Sequence, residues 1–272
     1  MPNLRRKNSV NFQFFMKEGQ RLWTREESIL AINLYCKIPF GQMHAGNAEV
    51  KELALLIDRS PGSIARKLGN FASFDPKLKE RGVGGLPNVS KLDAQIWQEY
   101  MQDWDEQFFE SEKLLAKKKH TSIEKIYAVD LENLPPTEGK ERERLVMVRV
   151  NQSQFRRIVL TNFSNQCCIT GIGMLELLVA SHIAPWSKDS SNRLSPQNGL
   201  ALNTLHDKAF DRHLITVTED LKIKISPKFY KYKNVISIQQ NFIDYDGKSL
   251  IAPKKFYPDA EFLKIHNDKF EG

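Results

Sequence analysis

Between residues 177 and 213 the chain reads "LLVASHIAPWSKDSSNRLSPQNGLALNTLHDKAFDRH". His182 follows a Leu/Val run, Asn198 stands sixteen residues on, and His206 eight residues after that. These residue types, in this order, suit hydrolysis of a phosphodiester. The reaction needs a base to activate water and a divalent metal to stabilise charge on the phosphorane and the leaving oxygen. A His on a rigid strand can be the base. A second His at a helix start can hold the metal. An Asn between them can fix the backbone so that the two face each other. Taken singly, a lone His is most often structural and Asn198-Gly199 is only a turn signal. The ordered set is what carries the reading.

The elements that must hold these residues follow from pattern. "RVNQSQFRRIVLTNF" is an amphipathic helix on Phe155, Ile158, Val159 and Phe163. After a turn at Gly171 and Gly173, a strand ends at His182. "GLALN" is a second strand, "LHDKAFDRH" a short helix and "LITVTEDLKIKIS" a hairpin by its alternation. His44, His120, His213 and His266 have no partner pattern and are placed on the surface. Trp186 is expected to pack under its loop, and Arg193 is a candidate phosphate contact.

Upstream, "WTREESILAINLYCKIPF" begins a folded block. Thr24 and Glu27 have the spacing of a capping box, and Pro39 ends the helix. "NAEVKELALLIDRSPGSIARKLGNF" reads as two short helices around a tight turn, with Ser60 as cap and Pro61 in the first turn of the second. This is the helix-turn-helix pattern. It leaves Ser63, Arg66, Lys67 and Asn70 on outward positions, as residue types suited to base edges and phosphates. An ordinary helical hairpin is the alternative. "KERGVGGLPNVSK" is either the wing of a winged helix or a surface loop. "KLDAQIWQEYMQDWDEQFFESEKLLAKKK" reads as one long helix with an aromatic stripe. The domain boundaries expected are a flexible arm over 1–20, a winged-helix-like DNA-binding domain over 21–116, a linker over 117–145 and a nuclease domain over 146–272.

The chain has 272 residues, with 41% hydrophobic, enough for real cores. Lys and Arg outnumber Asp and Glu by 40 to 33, which favours a polyanionic partner. Three cysteines, two of them adjacent, cannot build a disulfide framework. No apolar run reaches the length of a membrane span, and the N-terminus lacks the apolar core of a signal peptide. The expectation is a cytoplasmic protein with reduced thiols and no membrane partner.

The ordered segments "CCITG", "ASHIAPW", "NRLSPQNGLAL" and "LHDKAFDRH" resemble the HNH, or ββα-metal, endonucleases. The matching branch reads A-H-I-x-P-W, then R-L-x-P-x-N-G-L-x-L, then L-H-x-x-F-D-R. The resemblance extends over roughly residues 149–268. It implies an α+β chain, with a mainly helical winged-helix or helix-turn-helix domain ahead of a ββα-metal nuclease domain. Carried over by position, His182 is the general base, Asn198 the structuring Asn and His206 a metal ligand. Where many members carry Asp before the base, this chain has Ser181. Asp211 either supplies a carboxylate instead or bonds its neighbours' backbone. Mg²⁺ is the expected ion, with Mn²⁺ or a similar metal as alternatives. No second cysteine pair exists, so no structural zinc is expected.

The N-terminal block looks like the module found ahead of HNH domains in bacterial restriction-type proteins, some of which cut DNA carrying modified cytosine. The resemblance implies a defence endonuclease on double-stranded DNA. Its alternatives are an HNH nuclease specific for an unmodified sequence, or a DNA-binding regulator with an inactive HNH domain. Since one such site cuts one strand, a homodimer is a further expectation; the aromatic helix of 91–116 could offer its surface, although packing within its own domain is the default.

Overall fold

The computed structural model describes residues 21–82, 89–128, 139–185, 194–270 and 272. The expected arm over 1–20, the centre of the expected wing, Trp186 and Arg193 lie outside these residues.

The first helix, α1 (Arg25–Lys37), starts at a true capping box: Thr24 Oγ1 accepts from the Glu27 amide, and Glu27 accepts from the Thr24 amide at 3.0 Å. Nearly all of α1 is buried, because helices close on it from several sides. α2 (Ala48–Leu56) and α3 (Pro61–Ala72) pack on it and on each other. The turn between them needs a left-handed residue, and Asp58 supplies it at φ 51° in place of glycine. Ile64, Leu68 and Phe71 of α3 are fully buried.

After the short α4 (Pro76–Glu80), the expected single long helix is two helices, α5 (Lys91–Gln102) and α6 (Trp104–Lys118). Asp103 makes the break. Its backbone leaves the helical region, and its carboxylate accepts from the Glu106 amide to cap α6. The aromatic stripe survives the break. Tyr100, Trp104 and Phe108 are at most 1% exposed and pack edge-on or stacked against one another. These rings lie inside the protein's own core, the packing expected by default for this stripe.

The described parts of 117–145 hold the end of α6, the short α7 (Ile123–Ile126) and the start of α8 (Lys140–Asn162). The α8 helix touches α1 and α6 on one side and a strand pair on the other. That pair is β1 (Leu178–His182) and β2 (Gly199–Asn203), antiparallel, with His182 opposite Gly199. Then follow α9 (Thr204–Asp211), the hairpin of β3 (Ile215–Val217) and β4 (Ile223–Ile225), α10 (Ile236–Asn241) and α11 (Ala260–Asn267).

The two halves share one core. Phe256 packs edge-on against Tyr35 of α1 and Trp104 of α6. Lys255, fully buried beside it, donates to the carbonyls of Tyr35, Cys36 and Ile38 at the C-terminal end of α1. The last carbonyls of a helix have no intrahelical donor, so Lys255 satisfies them from more than two hundred residues away. No helix among the described residues is long and apolar enough to cross a membrane.

Candidate active site

His182 closes β1 at the point where the strand pair meets α8. Its ring stacks flat on Phe155 of α8, with centroids 4.0 Å apart and 6° between planes. Gly199, directly opposite, makes that approach possible. A Cβ there would lie 2.4 Å from Val159 Cγ2 and 3.0 Å from Phe155 Cζ.

Asn198 is 4% exposed. Its Oδ1 accepts from the Ala184 amide at 2.7 Å, and its Nδ2 donates to the Ala184 carbonyl at 3.4 Å. Its own carbonyl accepts from the Ile183 amide at 3.0 Å. One side chain thus fixes both backbone polar groups of the residue two positions past His182. Asn198 thus holds the backbone that follows His182.

A cleft of about 440 Å³ opens beside β1, lined by Ser181, His182, Asp207, Asp211, His213 and His266 among others. Asp207 and Asp211 are one helical turn apart on α9, so both present to the same face. Burial pushes the Asp207 carboxyl above its ordinary range; Ser181 opposes that shift and the charge of Asp211 adds to it. Ser181 Oγ is buried and has no partner in hydrogen-bond geometry, although it lies near enough to Asp207 to favour its charged form. A second groove of about 350 Å³, lined by Gln152, Phe155 and Arg156 of α8, shares Val179, Ala180 and His182 with the first. His182 therefore lines both grooves.

His206 is not in this cleft. It is 1% exposed and turned toward α10. Its Nε2 lies 2.6 Å from the Asn241 carbonyl, which can only accept, so Nε2 carries a proton. Its Nδ1 faces Asn203 Oδ1 at 3.1 Å, and the ring edge packs on Phe242 and Tyr245. Both ring nitrogens thus face protein oxygens and not the cleft, where the expected ligand role of His206 would place one. Its neighbour Asp207 lines the cleft. A signal was present: the family spacing H-x-x-F-D, counted back from Phe210, falls on residue 207, whereas His206 has three residues before Phe210.

Two of the histidines expected at the surface take part in the packing around the cleft. His266 is 3% exposed and stacks on Phe210 at 3.7 Å, and His213 lines the cleft beside it.

In the N-terminal half, Ser63, Arg66, Lys67 and Asn70 line a cavity of about 830 Å³ with Trp23, Arg59 and Asp93. Arg66 is exposed, and Ser63 and Asn70 are half-buried. Lys67, expected on the outward face, is buried: it pairs with Asp93 at 2.6 Å and lies 4.4 Å from the Trp23 ring centre. Asn70 donates to the other Asp93 oxygen at 3.1 Å. The reason is tertiary. The chain at Trp23 and the first turn of α5 fold over this side of α3, which helix periodicity alone leaves open.

The donor set at the cleft fits a hard divalent ion. Such an ion takes oxygen ligands, is commonly held by one or two carboxylates and keeps several waters. Asp207 and Asp211 offer two carboxylates, and the Ser181 hydroxyl beside Asp207 is a third oxygen. Among the described residues no group of three or more His, Cys, Asp or Glu is gathered closely enough to cage a metal alone. Cys36, Cys167 and Cys168 are buried free thiols. No curated protein matches the chain. Residues 167–218, which run from Cys167 through β1, β2 and α9 to the end of β3, match the model of a family described as HNH endonuclease, and this supports a nuclease of the HNH kind in that part of the chain.

Proposed function

We propose that the protein is a metal-dependent DNA endonuclease of the restriction or phage-defence type. The observation that carries the reading is the cleft itself: His182, Asp207 and Asp211 line one opening, and Asn198 holds the backbone just past His182. In this reading His182 accepts the proton of the attacking water. Its flat stack on Phe155 keeps the ring from rotating away. Asp207 and Asp211, with Ser181, would hold the ion, most suitably Mg²⁺. A divalent ion bound there stabilises the negative charge that develops on the phosphoryl and leaving oxygens. Arg156, at the second groove, adds positive charge along the strand's path.

The N-terminal half serves as the DNA reader, with Arg66, Ser63 and Asn70 at the rim of its cavity. Selection of modified cytosine fits a major-groove reader, because the C5 position projects into that groove beside the N4 donor. One cleft cuts one strand, so a double-strand break takes two chains or two binding events. The test is nicking of supercoiled plasmid with Mg²⁺, with chelator and His182→Ala controls, on matched C5-methylated and unmethylated DNA. The expected loss for His182→Ala is about 10²–10⁴-fold. Absence of metal-dependent nicking by the wild type would sink the nuclease reading. Equal rates on the two substrates would sink modification dependence alone.

A further inference from the structure

The end of α9 carries a residue that its backbone does not favour. The Leu214 amide donates to the Ala209 carbonyl at 2.9 Å, and the His213 amide to Phe210 at 2.8 Å. This paired closure ends a helix with one residue in the left-handed region, usually glycine. Here that residue is His213, at φ 53°. A non-glycine side chain held there is a cost that functional sites commonly carry. The turn places the imidazole in the His182 cleft.

The neighbours of His213 decide which ring nitrogen holds its proton. His266 Nε2 lies 3.0 Å from the Phe210 carbonyl. A carbonyl only accepts, so His266 carries its proton on Nε2. Its Nδ1 lies 2.7 Å from the Thr216 hydroxyl. Burial holds His266 down to about 4, so the ring is neutral at ordinary pH. His213 Nδ1 is 3.2 Å from the same protonated Nε2. It must therefore accept, and the His213 proton resides on Nε2. That nitrogen makes no hydrogen bond to another described residue. A histidine that ligates metal normally donates its other ring N–H to an acceptor. His213 has the opposite arrangement, with a donor behind it and a donor in front.

We infer that His213 is a further catalytic residue of this cleft, donating from Nε2 to a non-bridging oxygen of the scissile phosphate. The inference rests on the endonuclease reading. A fixed donor aimed at developing charge contributes without reorganising during the reaction. His213 serves the phosphate, while Asp207 and Asp211 serve the ion.

The test uses the full chain with His213→Gly and His213→Gln. Glycine suits the left-handed turn, so His213→Gly should melt within about 3 °C of wild type, the span of roughly 1 kcal/mol in a chain of this size. Its Mg²⁺ affinity by calorimetry should be unchanged, and its single-turnover cleavage should fall about 10²-fold. His213→Gln keeps a donor and should recover part of the rate. Nitrogen-15 spectra of the six imidazoles, assigned with the variants, should show His213 as the Nε2–H tautomer and shift that resonance when a short phosphorothioate duplex is added. Wild-type cleavage by His213→Gly, or an Nδ1–H tautomer, would overturn the inference while leaving the endonuclease reading intact. A wild type that cuts nothing would remove that reading, and His213 is then judged by the duplex titration, where an unmoved resonance overturns its phosphate contact.

Discussion

Replacing His206 by Ala separates a structural histidine from a ligand. The ring is 1% exposed, fills the space beside Phe242 and Tyr245, and donates to the Asn241 carbonyl. Removing a buried ring of this size costs about 2–4 kcal/mol. The Asn241 carbonyl, left without its donor, adds roughly 1 kcal/mol. With a urea slope near 3 kcal/mol per molar, the unfolding midpoint should fall by roughly 1–2 M. Metal affinity of the molecules that remain folded should not change. Asp207→Asn should do the reverse. The Asp207 carboxyl is raised in the folded state by burial, partly offset by Ser181, and by Asp211. The folded protein therefore holds a proton that the unfolded chain has released, and stability in the absence of metal falls as pH rises through the range above the ordinary carboxylate value. Asparagine removes that loss, so the variant should be as stable as wild type or more so at neutral pH. Its Mg²⁺ affinity should drop about 10- to 100-fold, or roughly 1.4–2.7 kcal/mol. Urea titration monitored by tryptophan fluorescence and calorimetry with Mg²⁺ read both quantities on both variants. A His206→Ala protein with the wild-type midpoint and no metal binding, or an Asp207→Asn protein binding Mg²⁺ normally, would refute the assignment.

Three further outcomes follow from the same geometry. Gly199→Ala should cost about 1–3 kcal/mol through overpacking against Val159 and Phe155, and adding Val159→Ala should return part of it in a double-mutant cycle; additive costs would mean the contact is not the cause. Asn198→Ala should lose about 1–3 kcal/mol and slow cleavage while DNA affinity measured in Ca²⁺ holds, and an unchanged rate would deny Asn198 its hold on the turn after His182. Burial pushes Lys255 down to about 8 from an ordinary 10.5, with Cys36 and Asp75 working against the shift. Between those values the unfolded chain holds a proton that the folded one lacks, so Lys255 should add about 3 kcal/mol as pH rises from 8 to 10.5. Lys255→Met should remove that rise from the difference between the two pH profiles, and parallel profiles would contradict it.

Much of this protein is determined locally and is therefore legible in its sequence. Thr24 and Glu27 cap α1 because their partners lie within one turn. Ser60 and Pro61 begin α3 for the same reason. The order of strand, loop, strand and helix around His182 and Asn198 follows from alternation and spacing, and the Asn198–Ala184 bonds close across one hairpin. What the sequence leaves open is direction. Successive residues on a helix point about 100° apart, so His206 and Asp207 differ by one position and by nearly everything else: one turns into the core against Asn241, the other into the cleft. Lys67 has an outward helical position, yet Trp23 and Asp93 cover it from distant parts of the chain. His213 and His266 lie fifty-three residues apart and meet only because α11 packs on β3. Local spacing selects the elements, and the packing of distant elements decides which of their side chains meet.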